Sequence, residues 1–222
     1  MIDVVYLNGG TGKRAKLGYP KQFARIGGKP ILVHALEKLN NFKEINKIII
    51  PTSPQEYKRT EEIIKNHNCT KKYKIIDGGE TRQESVYYGL NEVKTKEVII
   101  MESVRPFVSI GLIKKIINAK SNTTLFMPCI STPISVHGLT FERGEIGEVQ
   151  TPQKFDTSML FDIHNYTNII NSSDDCDLIC TEEGIQPNVL VGEYTNIKIT
   201  TPLDLKIAEV IYTNENNSNN RK

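Results

Sequence analysis

The chain has no tryptophan, only 7% aromatic residues and four cysteines, Cys69, Cys129, Cys176 and Cys180, with no Cys-x-x-Cys pair among them. This excludes the paired spacing of a structural zinc site and predicts reduced thiols, as in a cytoplasmic protein. Cys176 and Cys180 stand at i, i+4, where they would share a helix face as packing residues. No apolar run approaches the eighteen or so residues that cross a bilayer, and no apolar leader precedes the first strand, so neither a membrane span nor export is expected. Charge of one sign is also lacking. Lys+Arg 28 against Asp+Glu 26 leaves +2 over 222 residues, which gives no reason to expect a nucleic-acid surface; the cations matter locally.

What is present is a rhythm. Short β-rich runs alternate with helical patterns: strand 2–7, helix 30–41, strand 46–51, helix 54–67, strand 73–77, helix 82–93, strand 97–102, helix 109–119, strand 123–128. Such alternation predicts an α/β fold, a Rossmann-like three-layer and mostly parallel sheet covered on both faces. Ser53-Pro54-Gln55-Glu56 reads as a capping box with Pro at the first helical position, and Thr201-Pro202-Leu203-Asp204 repeats the arrangement with Asp at N3. The rhythm breaks between Pro128 and Val149. Ile134 to Phe141 has strand character and Arg143-Gly144-Glu145 could turn it back towards Ile146 to Val149, so a projecting β-arm over about 129–150 is expected, serving as a lid, a dimer contact or both. One domain over 1–212 is the simplest account, with the polar residues 213–222 disordered.

The richest stretch is Leu7-Asn8-Gly9-Gly10-Thr11-Gly12-Lys13-Arg14, directly after the first apolar run and followed by Pro20-Lys21-Gln22-Phe23. A strand end, three glycines and three cations together make a phosphate cradle. It fails the Walker A pattern at both ends. It also fails as a dinucleotide fingerprint, because Gly18 and Pro20 forbid an immediate helix and the second strand, Asn46 to Thr52, has no ribose-binding acid. In an open parallel sheet, ligands bind at the carboxyl ends of strands. Three more such loops carry polar groups: Asp77 to Ser85, Met101 to Phe107, and Thr195 to Thr200. Singly, each has an ordinary reading: Arg82 as a helix-surface charge, Lys198 as a solvated residue, Arg105 as a salt-bridge partner of Glu102.

Together they form an ordered series. Gly-x-Gly-x-Arg, Pro-Lys-Gln-Phe, Gly-Gly-x-x-Arg-x-x-Ser-Val, Arg-Pro-Phe, Gln-Thr-Pro-Gln-x-Phe and Asn-Ile-Lys-Ile-Thr-x-x-x-Asp-Leu occur in that order along nearly the whole chain. The chain resembles the cytidylyltransferases that activate polyol phosphates, those acting on 2-C-methyl-D-erythritol 4-phosphate and on ribitol 5-phosphate. The resemblance implies a nucleotidyltransferase that joins CTP and a polyol phosphate into a CDP-polyol and pyrophosphate, with Mg2+ on the CTP phosphates and a β-arm exchanged in a homodimer. It further implies that Arg14, Lys21 and Lys198 are the catalytic cations, Lys198 lying at the α-phosphate. Gly10 and Gly12 would hold the triphosphate with Arg14 and Lys21, Gly79 and Ser85 would recognise cytosine, and Asn8, Gly9, Thr11 and Ser103 would also bind the nucleotide. Glu102, Arg105, Arg143 and Thr151 would meet the acceptor, Arg143 from the partner's arm, with Glu102 also a candidate metal ligand.

Three departures fall where the acceptor should lie. Asn8-Gly9-Gly10 replaces Ala-Ala-Gly or Ala-Gly-Gly, Met101-Glu102-Ser103 replaces His-Asp-Ala, and Ser131-Thr132 replaces Asp-Thr. Together with Val104 and Lys29-Pro30-Ile31-Leu32-Val33-His34, they point to ribitol 5-phosphate or a related polyol phosphate, such as a glycerol phosphate, for surface polysaccharides of the capsule or teichoic acid kind. Methylerythritol phosphate, for isoprenoid synthesis, is the alternative. A catalytically impaired CTP-binding relative is the reading from another class. The four histidines, His34, His67, His137 and His164, belong to no proton-transfer motif. Asp174-Asp175 resembles the family's Thr-Asp-Asp segment, with Ser173 in place of Thr, and is equally readable as a helix cap.

Overall fold

Side chains along the first strand point alternately to two different cores, and that alternation builds the molecule. In the computed structural model, which describes residues 1–10 and 18–219, β1 (Ile2–Leu7) sends Val4 and Tyr6 to one face and Val5 to the other. After the short ribbon of β2 (Arg25–Ile26) and β3 (Lys29–Pro30) come α1 (Ile31–Leu39), β4 (Ile45–Thr52), α2 (Tyr57–Lys65) and β5 (Tyr73–Asp77). Next are α3 (Arg82–Leu90), β6 (Glu97–Glu102), α4 (Ile110–Asn118) and β7 (Thr123–Pro128). The chain ends with β8 (Gly147–Asp156), α5 (Thr157–Tyr166), α6 (Asp175–Glu183), β9 (Asn188–Val191) and α7 (Pro202–Asn219). Ile48 and Ile50 join Val4 under α1, α2 and α4, whereas Ile49, Val98 and Ile100 join Val5 under α3, α5 and α6. Period-two burial on both faces is what a parallel sheet between two helical layers requires.

The sheet order is β5-β4-β1-β6-β8-β7-β9. All neighbours are parallel except the two pairs made by β8, which runs antiparallel between β6 and β7. The chain builds leftwards from β1 to β5 and then returns to place β6 on the other side of β1, so the loops after these strands flank a topological switch point. Among the described residues, no helix is long and apolar enough to cross a membrane.

Several expectations need correction. β8 is a central strand through Asp156, whereas the sequence pattern had read only Ile146 to Val149 as the returning half of an arm. The arm itself leaves between Pro128 and Gly147, which pair across its base, and it turns back at Ser135 to Gly138, where Ile134 bridges Thr140. Ser53 makes no side-chain cap and opens a 3-10 turn, so the first expected capping box is absent, whereas Thr201 and Asp204 do exchange bonds at the start of α7. α7 continues past Thr213 to Asn219, where disorder was expected. Tyr212 helps hold that helix: a methyl on Gly27 (φ 55°) would fall 1.9 Å from its ring, so the ring lies directly on glycine backbone.

Candidate active site

Two cavities open side by side along the carboxyl ends of β1, β5 and β6. The first, of about 510 Å3, is lined by Gly9, Gly10, Lys21, Gln22, Gly79, Ser85 and Ser103, with Asn171 and Ser172 at its rim. The second, of about 1010 Å3, runs from Gln150 and Thr151 to the base of the arm at Ser131 and Thr132, and also includes Arg105, Asp174 and Tyr194. Arg82, Glu102, Ser173 and Lys198 line both, so these four side chains mark the junction.

Local structure explains the first cavity. Thr81 and Glu84 form a capping box at the start of α3, which turns the glycine loop back over that helix. Ser85 Oγ accepts from Gly79 N–H (3.1 Å) and donates to the Thr81 carbonyl (2.9 Å). A methyl on Gly79 would lie 2.2 Å from Glu84 Cβ, so the loop closes only with glycine there. Ser103 N–H donates to the Leu7 carbonyl (3.1 Å), tying the ends of β1 and β6 together across the switch point. Lys21 sits buried in a 3-10 turn over residues 21–23. Asn8 faces away from the cavity: its Nδ2 donates to Thr52 Oγ1 (2.8 Å) and Thr60 Oγ1 (3.2 Å), and its carbonyl accepts from Gln22 Nε2 (2.9 Å). Thr11, Gly12 and Arg14 lie outside the described residues.

At the junction, the Glu102 carboxylate is held from two sides. Oε1 accepts from Lys198 Nζ (2.5 Å) and Oε2 from Arg105 Nε (3.1 Å). Burial alone would raise its pKa, but Lys198, Arg105 and Arg82 outweigh burial and hold the carboxyl at about 2. Arg105 also donates to the Asn196 carbonyl (2.8 Å) and the Val149 carbonyl (3.4 Å), so its fork braces the cavity wall. Thr151 Oγ1 accepts from Glu102 N–H (3.2 Å). Asp174 caps α6 through Cys176 N–H (2.9 Å), as the helix-cap reading expects, and it also lines the second cavity.

Arg143 is not brought in. It lies exposed on the arm and lines neither cavity. Lys29 and His34 line a separate cavity with Tyr212 and Glu215 and lie on neither of these two. Sequence reading missed the Asn171–Ser172 rim, which Gln83 fixes by donating to the Ile169 carbonyl (2.8 Å) and accepting from Ser172 N–H (2.9 Å). Its one local signal is Asn171 itself, a residue type that tolerates the left-handed φ of 64° found there.

Comparison with known proteins bears on the family. A family model described as IspD: 2-C-methyl-D-erythritol 4-phosphate cytidylyltransferase matches residues 2–214. The chain is 31% identical over 219 residues to the 2-C-methyl-D-erythritol 4-phosphate cytidylyltransferase of Geobacillus kaustophilus (strain HTA426), covering 94% of this chain and 96% of that one. It is 32% identical over 224 residues to the bifunctional ribulose 5-phosphate reductase/CDP-ribitol pyrophosphorylase Bcs1 of Haemophilus influenzae, covering 94% of this chain and 47% of that one. The crystal structure of 4-diphosphocytidyl-2C-methyl-D-erythritol synthase from Anaerococcus prevotii DSM 20548 superposes with a TM-score of 0.84 at 25% identity, covering 96% of each chain. With agreement in sequence, fold and nearly full length, the chain belongs to the polyol-phosphate cytidylyltransferase family and is a CTP-dependent nucleotidyltransferase.

Proposed function

We propose that this enzyme transfers CMP from CTP to ribitol 5-phosphate or a related polyol phosphate, such as a glycerol phosphate, and releases pyrophosphate. The observation that carries the reading is the junction of two cavities at the charged pair Lys198 and Glu102. The first cavity suits the nucleotide: Gly79, Ser85 and Ser103 take the nucleoside, while Gly9, Gly10 and Lys21, with Thr11, Gly12 and Arg14 of the same loop, take the phosphates. Asn8 supports that loop from behind. The second cavity suits the acceptor, with Thr151 near its phosphate, and Glu102 and Arg105 shaping the pocket between phosphate and polyol.

An oxygen of the acceptor phosphate attacks the α-phosphorus in line. A new P–O bond forms there as the bond to the β-phosphate oxygen breaks, and pyrophosphate leaves with the electron pair. The nucleophile is already anionic, so no protein base is needed, and catalysis consists of bringing two anions together under fixed positive charge. Among the described residues no group of three or more His, Cys, Asp or Glu could hold a metal ion, and both Glu102 oxygens face cations. Magnesium therefore fits as a companion of the CTP phosphates, where it would neutralise charge on the leaving group. The four cysteines are all free thiols, which supports a cytoplasmic enzyme.

Glu102, one methylene longer than the family's Asp, supports a changed acceptor, as does Val104 beside it. The names of the family model and of most relatives favour methylerythritol phosphate as the second reading. Pyrophosphate release with CTP and a panel of these phosphates separates them. The fastest turnover is expected with ribitol 5-phosphate; fastest turnover with methylerythritol phosphate transfers the assignment, and CTP binding without release for any acceptor leaves the impaired relative. In the same assay Lys21→Ala should lose roughly 10²- to 10³-fold in rate, and activity within a few-fold of the parent would contradict its role.

A further inference from the structure

Arg82 occupies a position that helix stability does not explain. It is the first residue of α3, directly after the Thr81 cap, where the helix dipole favours a carboxylate over a cation. Its side chain extends to the junction and is fixed from a distant element: Nη2 donates to Asp175 Oδ2 (2.7 Å) across 93 residues of sequence. Asp175 is fully buried at the first position of α6, and its other oxygen, Oδ1, meets His164 Nε2 at 3.1 Å. A buried carboxylate therefore has one oxygen on the arginine and one on a ring that is itself buried. The Arg82 side chain keeps 19% of its surface exposed, and the residue lines both cavities.

The charges around it explain why a second cation is needed. Lys198 reaches the same junction already paired with Glu102, and Arg105 is braced against Glu102 and two backbone carbonyls. Arg82 brings a planar fork with several donors, suited to two oxygens of one phosphate. We propose that Arg82 binds the α-phosphate of the nucleotide at the junction, and that Asp175, backed by His164, is the positioning residue that aims it. This rests on the first cavity holding the nucleotide. It does not depend on which polyol phosphate is the acceptor.

The test uses cytidine, CMP and CTP as calorimetric ligands, because CMP adds only the α-phosphate to cytidine. Arg82→Met should weaken CMP at least about tenfold, as loss of a charge-assisted bond does, and leave cytidine within about twofold. Asp175→Asn should weaken CMP part-way. Because Arg82→Met alone strands a buried carboxylate, Arg82→Met/Asp175→Asn is measured as well; it should bind CMP no worse than Arg82→Met, since the two residues act as one unit. Equal loss of cytidine and CMP would make the pair structural, and unchanged CMP affinity with a raised KM for the acceptor would move Arg82 to the other phosphate; either overturns the proposal. Failure of the parent enzyme to bind CTP would instead remove the nucleotide reading, and this inference with it. Loss of turnover on ribitol 5-phosphate but not on another acceptor would touch only the acceptor assignment.

Discussion

Glu102 shows how a single carboxylate organises two cations and thereby links stability to pH. Its folded pKa of about 2 lies below its ordinary 4.5, so its contribution is fully present above pH 4.5 and is lost as pH falls towards 2. Asp175 behaves alike, since burial raises it but Arg82 and His164 hold it at about 2, below its ordinary 3.8. The shift at Glu102 corresponds to about 3 kcal/mol of stability at neutral pH. Glu102→Gln should therefore lower the thermal midpoint at pH 7. It should also make the fall of that midpoint between pH 4.5 and 2 shallower without abolishing it, because Asp175 still titrates. A midpoint curve parallel to that of the parent would show that Glu102 does not hold Lys198 and Arg105 in the folded protein.

At the scale of elements, the start of α3 joins a cap to the loop proposed to hold the nucleoside, and two substitutions separate these roles. Thr81→Ala removes the hydroxyl that accepts from Glu84 N–H and should cost about 1 kcal/mol of stability, with CTP affinity nearly kept. Gly79→Ala would put a methyl 2.2 Å from Glu84 Cβ, forcing the loop off Ser85, so CTP affinity should fall at least about tenfold with a smaller loss of stability. Calorimetric binding of CTP beside thermal unfolding distinguishes the two, and undiminished binding by Gly79→Ala would remove this loop from the base site. The same contrast explains what could be read in advance. β1, β4 and β6 were legible because burial on both faces leaves apolar runs such as Ile48-Ile49-Ile50. β8 was not, because its buried residues Gln150, Thr151, Gln153 and Lys154 are polar, and each makes a tertiary hydrogen bond that only the folded chain supplies. Lys154 Nζ, for example, donates to the Ile117 and Ala119 carbonyls (3.0 and 2.8 Å) at the end of α4 and pairs with Glu97 (2.9 Å). The Arg82–Asp175 contact was invisible for the same reason: only folding brings α6 to α3.

For the whole molecule, the relation that decides function is the one between the arm and the site. The arm exposes Ile130 near its base and Ile134, Val136 and Leu139 around its turn, with Val136 96% accessible, and such apolar exposure marks an interaction surface. Arg143 stands on the same projection, outside both cavities, although the family resemblance assigns it to the acceptor phosphate. The homodimer we propose, in which each arm reaches the other subunit's second cavity, would reconcile the two through a symmetric contact repeated on both chains. Arg143→Ala and Lys198→Ala should each be nearly inactive alone. In an exchanged mixture of equal amounts, half the dimers are mixed, and each mixed dimer carries one site with both Lys198 from its own chain and Arg143 from the other. Activity should then return to roughly a quarter of the parent level. Exchange is verified by copurification of differently tagged subunits, so that no recovery in an exchanged mixture would assign Arg143 to its own chain's pocket, and a monomer in sedimentation would remove the shared site altogether.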